Sequence, residues 1–234
     1  MSRLRPLLYL LLLISPALQA QNQALLCDAL EQLQLPDVAS ISATFVPAGQ
    51  YTAPGGGQPV SGMVQEFCRV ELTVVPEVGI EVWLPTAANW NGRYLAVGGG
   101  GLAGVISYNA MLPALQGNYV TSSTDTGHKA PATEWLRDPI RLRDYGYRAI
   151  HEMAVKTKLL ISAYYNRQSD YSYFNGCSTG GRQGLMEAQR YPDDFNGIVS
   201  GAPVNYFAAT HFTQIWITKA AKPVDNTILP PDAL

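Results

Sequence analysis

Apolar positions change their spacing along this chain, and each change marks an element. Phe67 to Val75, Ile80 to Leu84 and Tyr94 to Val97 are short runs rich in β-branched and aromatic residues, the second ending at Pro85. Such runs predict strands. Tyr119 to Ser122, Tyr171 to Phe174 and Ile198-Val199 predict three more. From Asp144 to Tyr165 the apolar spacing shifts to threes and fours, with Ile150, Met153, Ala154, Leu160, Ile161 and Tyr164 on one stripe. That period predicts a helix. A second helix is expected to begin near Arg182 and continue over Gly184 to Arg190, and a short one over Cys27 to Leu35, with Pro36 near its end. Tyr51 to Pro59, with Pro54 and three glycines, reads as a loop. The late alternation of strand and helix argues for an α/β protein with a mostly parallel sheet.

The first twenty residues follow a different logic. Arg3 and Arg5 precede a short apolar run, Leu7 to Ile14, and small residues follow up to Ala20. This is the layout of an export signal over residues 1–20, too short to span a bilayer comfortably, with cleavage expected after Ala20. A secreted or periplasmic protein follows, with no membrane association after cleavage. Residues 21–234 are long enough for one full core. The whole chain, with 47% hydrophobic and 15% charged residues, has the composition of a folded domain. The net charge of −2 offers no basic surface for nucleic acid.

Export makes the three cysteines informative, because disulfides persist outside the cytosol. An odd count leaves one over. Cys27 and Cys68 lie together in the N-terminal third and are expected to pair, leaving Cys177 without a partner in this chain.

Cys177 directly precedes the most chemically suggestive residue. Gly176-Cys177-Ser178-Thr179-Gly180 spells G-x-S-x-G between a predicted strand and a predicted helix. In the α/β-hydrolase fold that frame is a nucleophile elbow: a sharp turn lifts the serine hydroxyl out of the sheet, and the next amide points at the developing oxyanion. Ser178 is the candidate nucleophile and Thr179 N–H the candidate first oxyanion donor. Gly98 to Gly101 follows the third strand, where a second donor belongs, so Gly99 or Gly100 N–H is the candidate partner. The loop lacks the lysine and spacing of a phosphate cradle. Asp125 and His128, just beyond the fourth strand, are candidate pocket residues; a loop-stabilising role is the alternative. His211 is the sole histidine after Ser178 but arrives early for a catalytic base, and His151 reads as structural. The three histidines show no metal-ligand spacing, so no metal and no cofactor is expected in this chain.

Taken together, Tyr171 to Gly184, the continuation Glu187 to Pro192, and the pieces Phe67-Cys68-Arg69-Val70, Glu81 to Pro85, Trp90-Asn91-Gly92, Gly98 to Gly104, Ser123 to His128, Tyr145 to His151 and Gly201-Ala202-Pro203 resemble the tannase and feruloyl esterase family of secreted serine esterases. The resemblance runs from Cys27 to Tyr206. It implies an α/β-hydrolase fold and hydrolysis of aromatic-acid esters of the galloyl or feruloyl kind, on small or plant-polymer-derived substrates. Relatives that cleave a terephthalate monoester look similar too. In that family the cysteine beside the serine bonds one beside the catalytic histidine. The resemblance therefore implies that the acid, the histidine, the partner of Cys177 and a lid with its calcium site lie beyond Leu234. The chain is expected to be the N-terminal part of a longer enzyme, or else a catalytically silent binding protein on the same scaffold.

Overall fold

The computed structural model describes residues 16–54 and 60–220, with side chains from residue 21 onward. The expected export signal falls largely outside these residues. The helix expected at Cys27 starts earlier and ends sooner: α1 spans Pro16–Asp28, and a 3-10 turn, Ala29–Gln32, follows it.

Among the described residues nine strands form two sheets. β1 is Val38–Val46, β2 Gly49–Thr52, β3 Ser61–Val64, β4 Phe67–Val74, β5 Val78–Pro85, β6 Arg93–Val97, β7 Val120–Thr124, β8 Tyr171–Cys177 and β9 Gly197–Gly201. β2 and β3 make a small hairpin, so the expected loop at Tyr51 begins within a strand. The other seven pair in the order β1-β4-β5-β7-β6-β8-β9. The first three pairings are antiparallel and the last three parallel, so β4, β7, β6, β8 and β9 all point one way.

Helices cover both faces. α2 (Tyr108–Gln116) packs with Phe67, Trp83 and Val97 on one face. α4 (Ala149–Tyr165) packs on the other with Tyr94, Ala96 and Phe174. Neighbouring residues of β6 therefore serve opposite cores, as a strand period of two requires. All six apolar residues of the predicted α4 stripe are buried. The short α3 is Pro139–Arg143, α5 is Thr179–Arg190 and α6 is Phe207–Ala220. None of the described helices is long and apolar enough to cross a membrane.

The predicted helix start at Asp144 is one π-helical turn, Asp144–Arg148, before α4 proper. This widened turn frees carbonyls, and Arg182 of α5 uses them: its Nη1 and Nη2 donate to the Gly146 and Tyr145 carbonyls at 2.9 and 3.1 Å. The guanidinium also lies 4.7 Å from the centroid of the Tyr145 ring.

Cys27 and Cys68 are bonded, with both side chains fully buried and 41 positions between them. Closing a loop of that length restrains the unfolded chain by about 4 kcal/mol in the chain-entropy model. The double variant Cys27→Ala/Cys68→Ala is expected to lose stability of that order in urea unfolding. An unchanged midpoint would mean that the bridge does not restrain the unfolded chain. Cys177 is free and exposed.

Candidate active site

The site is built where the winding of the sheet reverses. β6 lies between β7 and β8, and chain leaves it first to one side and then returns on the other. In open α/β sheets ligands bind beyond the carboxyl ends of strands at such a point. β6 and β8 are parallel, with Val97 opposite Asn175, so the loops that follow them meet.

The loop after β8 is a one-residue reversal at Ser178. Its backbone sits at φ 60°, ψ −117°, outside the regions that L-residues favour. Ser178 N–H donates to the Gly201 carbonyl at 3.0 Å, and the Ser178 carbonyl accepts from Arg182 N–H at 3.1 Å. Its flanking glycines are steric requirements. A Cβ at Gly176 would lie 2.5 Å from the Gly180 backbone, and one at Gly181 would lie 2.3 Å from the Gly201 carbonyl oxygen. The side chain of Ser178 is exposed, at the N-terminus of α5.

The glycine loop is fastened to this turn. Gly98 N–H donates to the Asn175 carbonyl at 2.9 Å, and Thr179 Oγ1 donates to the Gly101 carbonyl at 2.5 Å. The two candidate glycine donors differ. Gly99 N–H is buried and bonded to Gln183 Oε1 at 3.0 Å. Gly100 is exposed, and its N–H has no acceptor among the described residues. Thr179 supplies the first amide of α5, one of those a helix leaves without an internal partner. Gln183, which consumes one candidate amide and so singles out the other, carries no motif by which sequence could have found it.

A cavity of about 400 Å³ opens at Ser178 and Thr179. Its walls are mainly apolar, with Leu102, Leu136, Val204 and Phe207. His211 also lines it, from α6; its Nδ1 bonds the Phe207 carbonyl at 2.8 Å. No described residue is hydrogen-bonded to the Ser178 hydroxyl.

Asp125 and His128 line a separate cavity of about 370 Å³ with Lys129 and Trp135. Both are buried loop anchors. Asp125 Oδ1 accepts from the Gly79 and Gly127 amides, and its Oδ2 pairs with Lys129 at 2.6 Å. His128 Nε2 donates to the Leu102 carbonyl at 2.7 Å, and its ring stacks on Trp135 at 3.9 Å. His128 thus pins the far end of the glycine loop without facing the Ser178 cavity.

A second polar cluster lies at the other end of α5. His151 from α4, Glu187 from α5 and Asp194 from the following loop place one donor atom each within 4.8 Å of one another. His151 Nδ1 is 2.6 Å from Asp194 Oδ2. Glu187 is fully buried, and among the described residues neither of its oxygens accepts a hydrogen bond. Burial, and after it the nearby Asp194 carboxylate, push the Glu187 carboxyl up to about 9 from an ordinary 4.5. The folded chain then holds a proton on Glu187 that the unfolded chain releases above pH 4.5. This group's contribution is therefore fully present below about pH 4.5 and is lost as pH rises towards 9. Glu187→Gln is expected to flatten that decline in metal-free thermal unfolding. A slope unchanged between pH 5 and 9 would sink the assignment.

Comparison with known proteins agrees with the geometry. The family model described as "Tannase and feruloyl esterase" matches residues 61–234. An uncharacterized esterase of Xanthomonas campestris is 40% identical over 220 residues, 91% of this chain and 38% of that protein. A probable feruloyl esterase B-1 of Aspergillus fumigatus is 38% identical over 189 residues, 76% of this chain and 35% of that protein. The crystal structure of feruloyl esterase B from Aspergillus oryzae superposes with a TM-score of 0.76 at 32% identity, over 84% of this chain and 41% of that one. The chain thus spans less than half the length of these relatives. The fold is that of an α/β-hydrolase. The chain belongs to the tannase and feruloyl esterase family.

Proposed function

We propose that this chain carries the nucleophile and oxyanion donors of an exported serine esterase acting on esters of aromatic acids. The observation that carries this reading is Ser178 itself, an exposed hydroxyl on a strained turn at a helix N-terminus, beside two amides with no acceptor among the described residues. Ser178 Oγ attacks the ester carbonyl, and the carbonyl oxygen takes the negative charge. Thr179 and Gly100 N–H groups face that oxygen, each donor worth about 3 kcal/mol of barrier. The intermediate collapses by expelling the alcohol, and water then cleaves the acyl-enzyme to the free acid. Acylation needs a base that takes the Ser178 Oγ proton and passes it to the departing alcohol. Deacylation needs the same group to take a proton from water and return it to Oγ. None of the three histidines is bonded to Oγ among the described residues.

The apolar walls of the Ser178 cavity suit an aromatic acyl ring. The relatives named feruloyl esterase support the same substrate class for this chain. The buried Cys27–Cys68 bridge suits an oxidising compartment.

A fluorophosphonate tests the reading, because it reacts with an activated serine and marks it by mass. One adduct, mapped to Ser178 by peptide mass spectrometry and slowed by methyl ferulate, is the expected result. An adduct elsewhere, or none even with free imidazole added to stand in for the base, overturns it. Retained affinity for methyl ferulate without any adduct would favour a silent binding protein.

A further inference from the structure

From the cluster of His151, Glu187 and Asp194 we infer a divalent transition-metal site, of zinc type, that ties α4, α5 and the loop after α5 together. Three observations carry it. The donor set is one imidazole and two carboxylates, a set that zinc accepts with a fourth position left for water. The imidazole nitrogen argues against calcium or magnesium, which take oxygen donors. The donor atoms already lie within 4.8 Å of one another, whereas bonds of about 2.1 Å to a tetrahedral ion set them about 3.4 Å apart. Binding therefore asks the donors to close within that span, with the His151–Asp194 contact opening from 2.6 Å.

The third observation is Glu187, fully buried, with neither oxygen accepting a hydrogen bond among the described residues. Without an ion only a proton shared with Asp194 satisfies it, and a cation would take that proton's place. A buried carboxyl without a hydrogen bond is costly, and a cation bound between it and Asp194 supplies the missing partner. An ion can reach it, because the His151 side chain is 31% exposed. On that side Tyr191 stacks against the imidazole at 3.8 Å. Nearby cations do not fill the role. Lys156 pairs with Glu152 at 2.9 Å, and Lys158 donates to the Asp193 carbonyl at 3.4 Å. Glu187 stands nine positions after Ser178, about 13 Å along the helix, so the ion would brace the elbow helix rather than touch the ester.

The test uses the full chain purified without a histidine tag and with Cys177→Ser, so that the exposed thiol takes no metal. After EDTA treatment it is titrated with zinc chloride by calorimetry, and metal retained after desalting is counted by mass spectrometry. The expected result is one zinc per chain and an unfolding midpoint raised by about 5 °C at hundredfold excess over the dissociation constant. Glu187→Gln is expected to weaken binding at least tenfold and to abolish the thermal shift. His151→Gln, altered at the solvent edge, is expected to do the same. Cobalt in place of zinc gives visible absorption bands that must vanish in both variants. No retained zinc, or zinc bound equally by wild type and both variants, overturns the site. Each outcome is independent of esterase activity.

Discussion

Ser178→Ala is expected to abolish phosphonylation completely, and Ser178→Gly to abolish it while making the protein more stable. On the proposed reading the Ser178 hydroxyl is the atom that the label takes, so its removal is expected to reduce reaction to background. The glycine variant separates chemistry from conformation. Ser178 holds φ 60°, ψ −117°, where a Cβ crowds the backbone. Strain of this kind costs about 1–3 kcal/mol and persists where the surroundings over-determine it. Alanine keeps that Cβ and the strain; glycine has none to clash. Thermal unfolding should place Ser178→Ala close to wild type and Ser178→Gly higher by a few degrees. A glycine variant no more stable than the alanine variant would show that the turn is relaxed as it stands.

Gly181→Ala is expected to cost about 3 kcal/mol or more and to lower the unfolding midpoint by roughly 6–12 °C. The new methyl would lie 2.3 Å from the Gly201 carbonyl oxygen and 2.9 Å from the Pro203 Cα. Both are backbone atoms, so the contact is relieved only by moving α5 away from the end of β9. That movement tilts the first turn of α5 and carries Thr179 N–H out of line, so labelling at Ser178 falls as well. Gly100→Ala is the matched control. A Cβ there meets nothing within 4 Å, and alanine keeps the amide proposed as an oxyanion donor. Its stability is expected to stay within about 0.5 kcal/mol of wild type, as for other surface changes. Equal losses at the two positions would remove the steric account of the elbow.

Most of the parallel half of the sheet was legible in the sequence because its strands are short apolar runs closed by glycine or proline. The α4 stripe was legible because six apolar residues keep one period over about four turns. β1 was missed for a physical reason. It is an edge strand, mostly solvent-facing, and its inward face carries the modest alternation of Ile41, Ala43 and Phe45. α2 was missed because it follows a glycine-rich loop and contains Pro113. α6 leaves Phe212, Ile215, Trp216 and Ile217 exposed, so its apolar residues have no buried face to report.

The site divides in the same way. Ser178 and the glycine frame are local in sequence, and a motif finds them. Whether Gly99 or Gly100 keeps a free amide depends on Gln183, more than eighty positions away, which no local pattern encodes. The cluster of His151, Glu187 and Asp194 was invisible for the same reason. Its members stand 36 and 43 positions apart on two helices and a loop, with none of the short spacing that marks a metal motif. Only the packing of α4 against α5 brings them together.

The hydrogen bonds that join the glycine loop to the elbow also limit how this chain can be recombined with a relative. Gly98, Gly99 and Gly101 each bond a residue of the 175–183 segment. The two stretches therefore behave as one inheritable cassette, although some seventy residues separate them. A chimera joined between Leu102 and Tyr171 would take its loop from one parent and its elbow from the other. Joints placed before Arg93 or after Pro203 leave the cassette whole, and these are where domain shuffling in this family should preserve a working nucleophile.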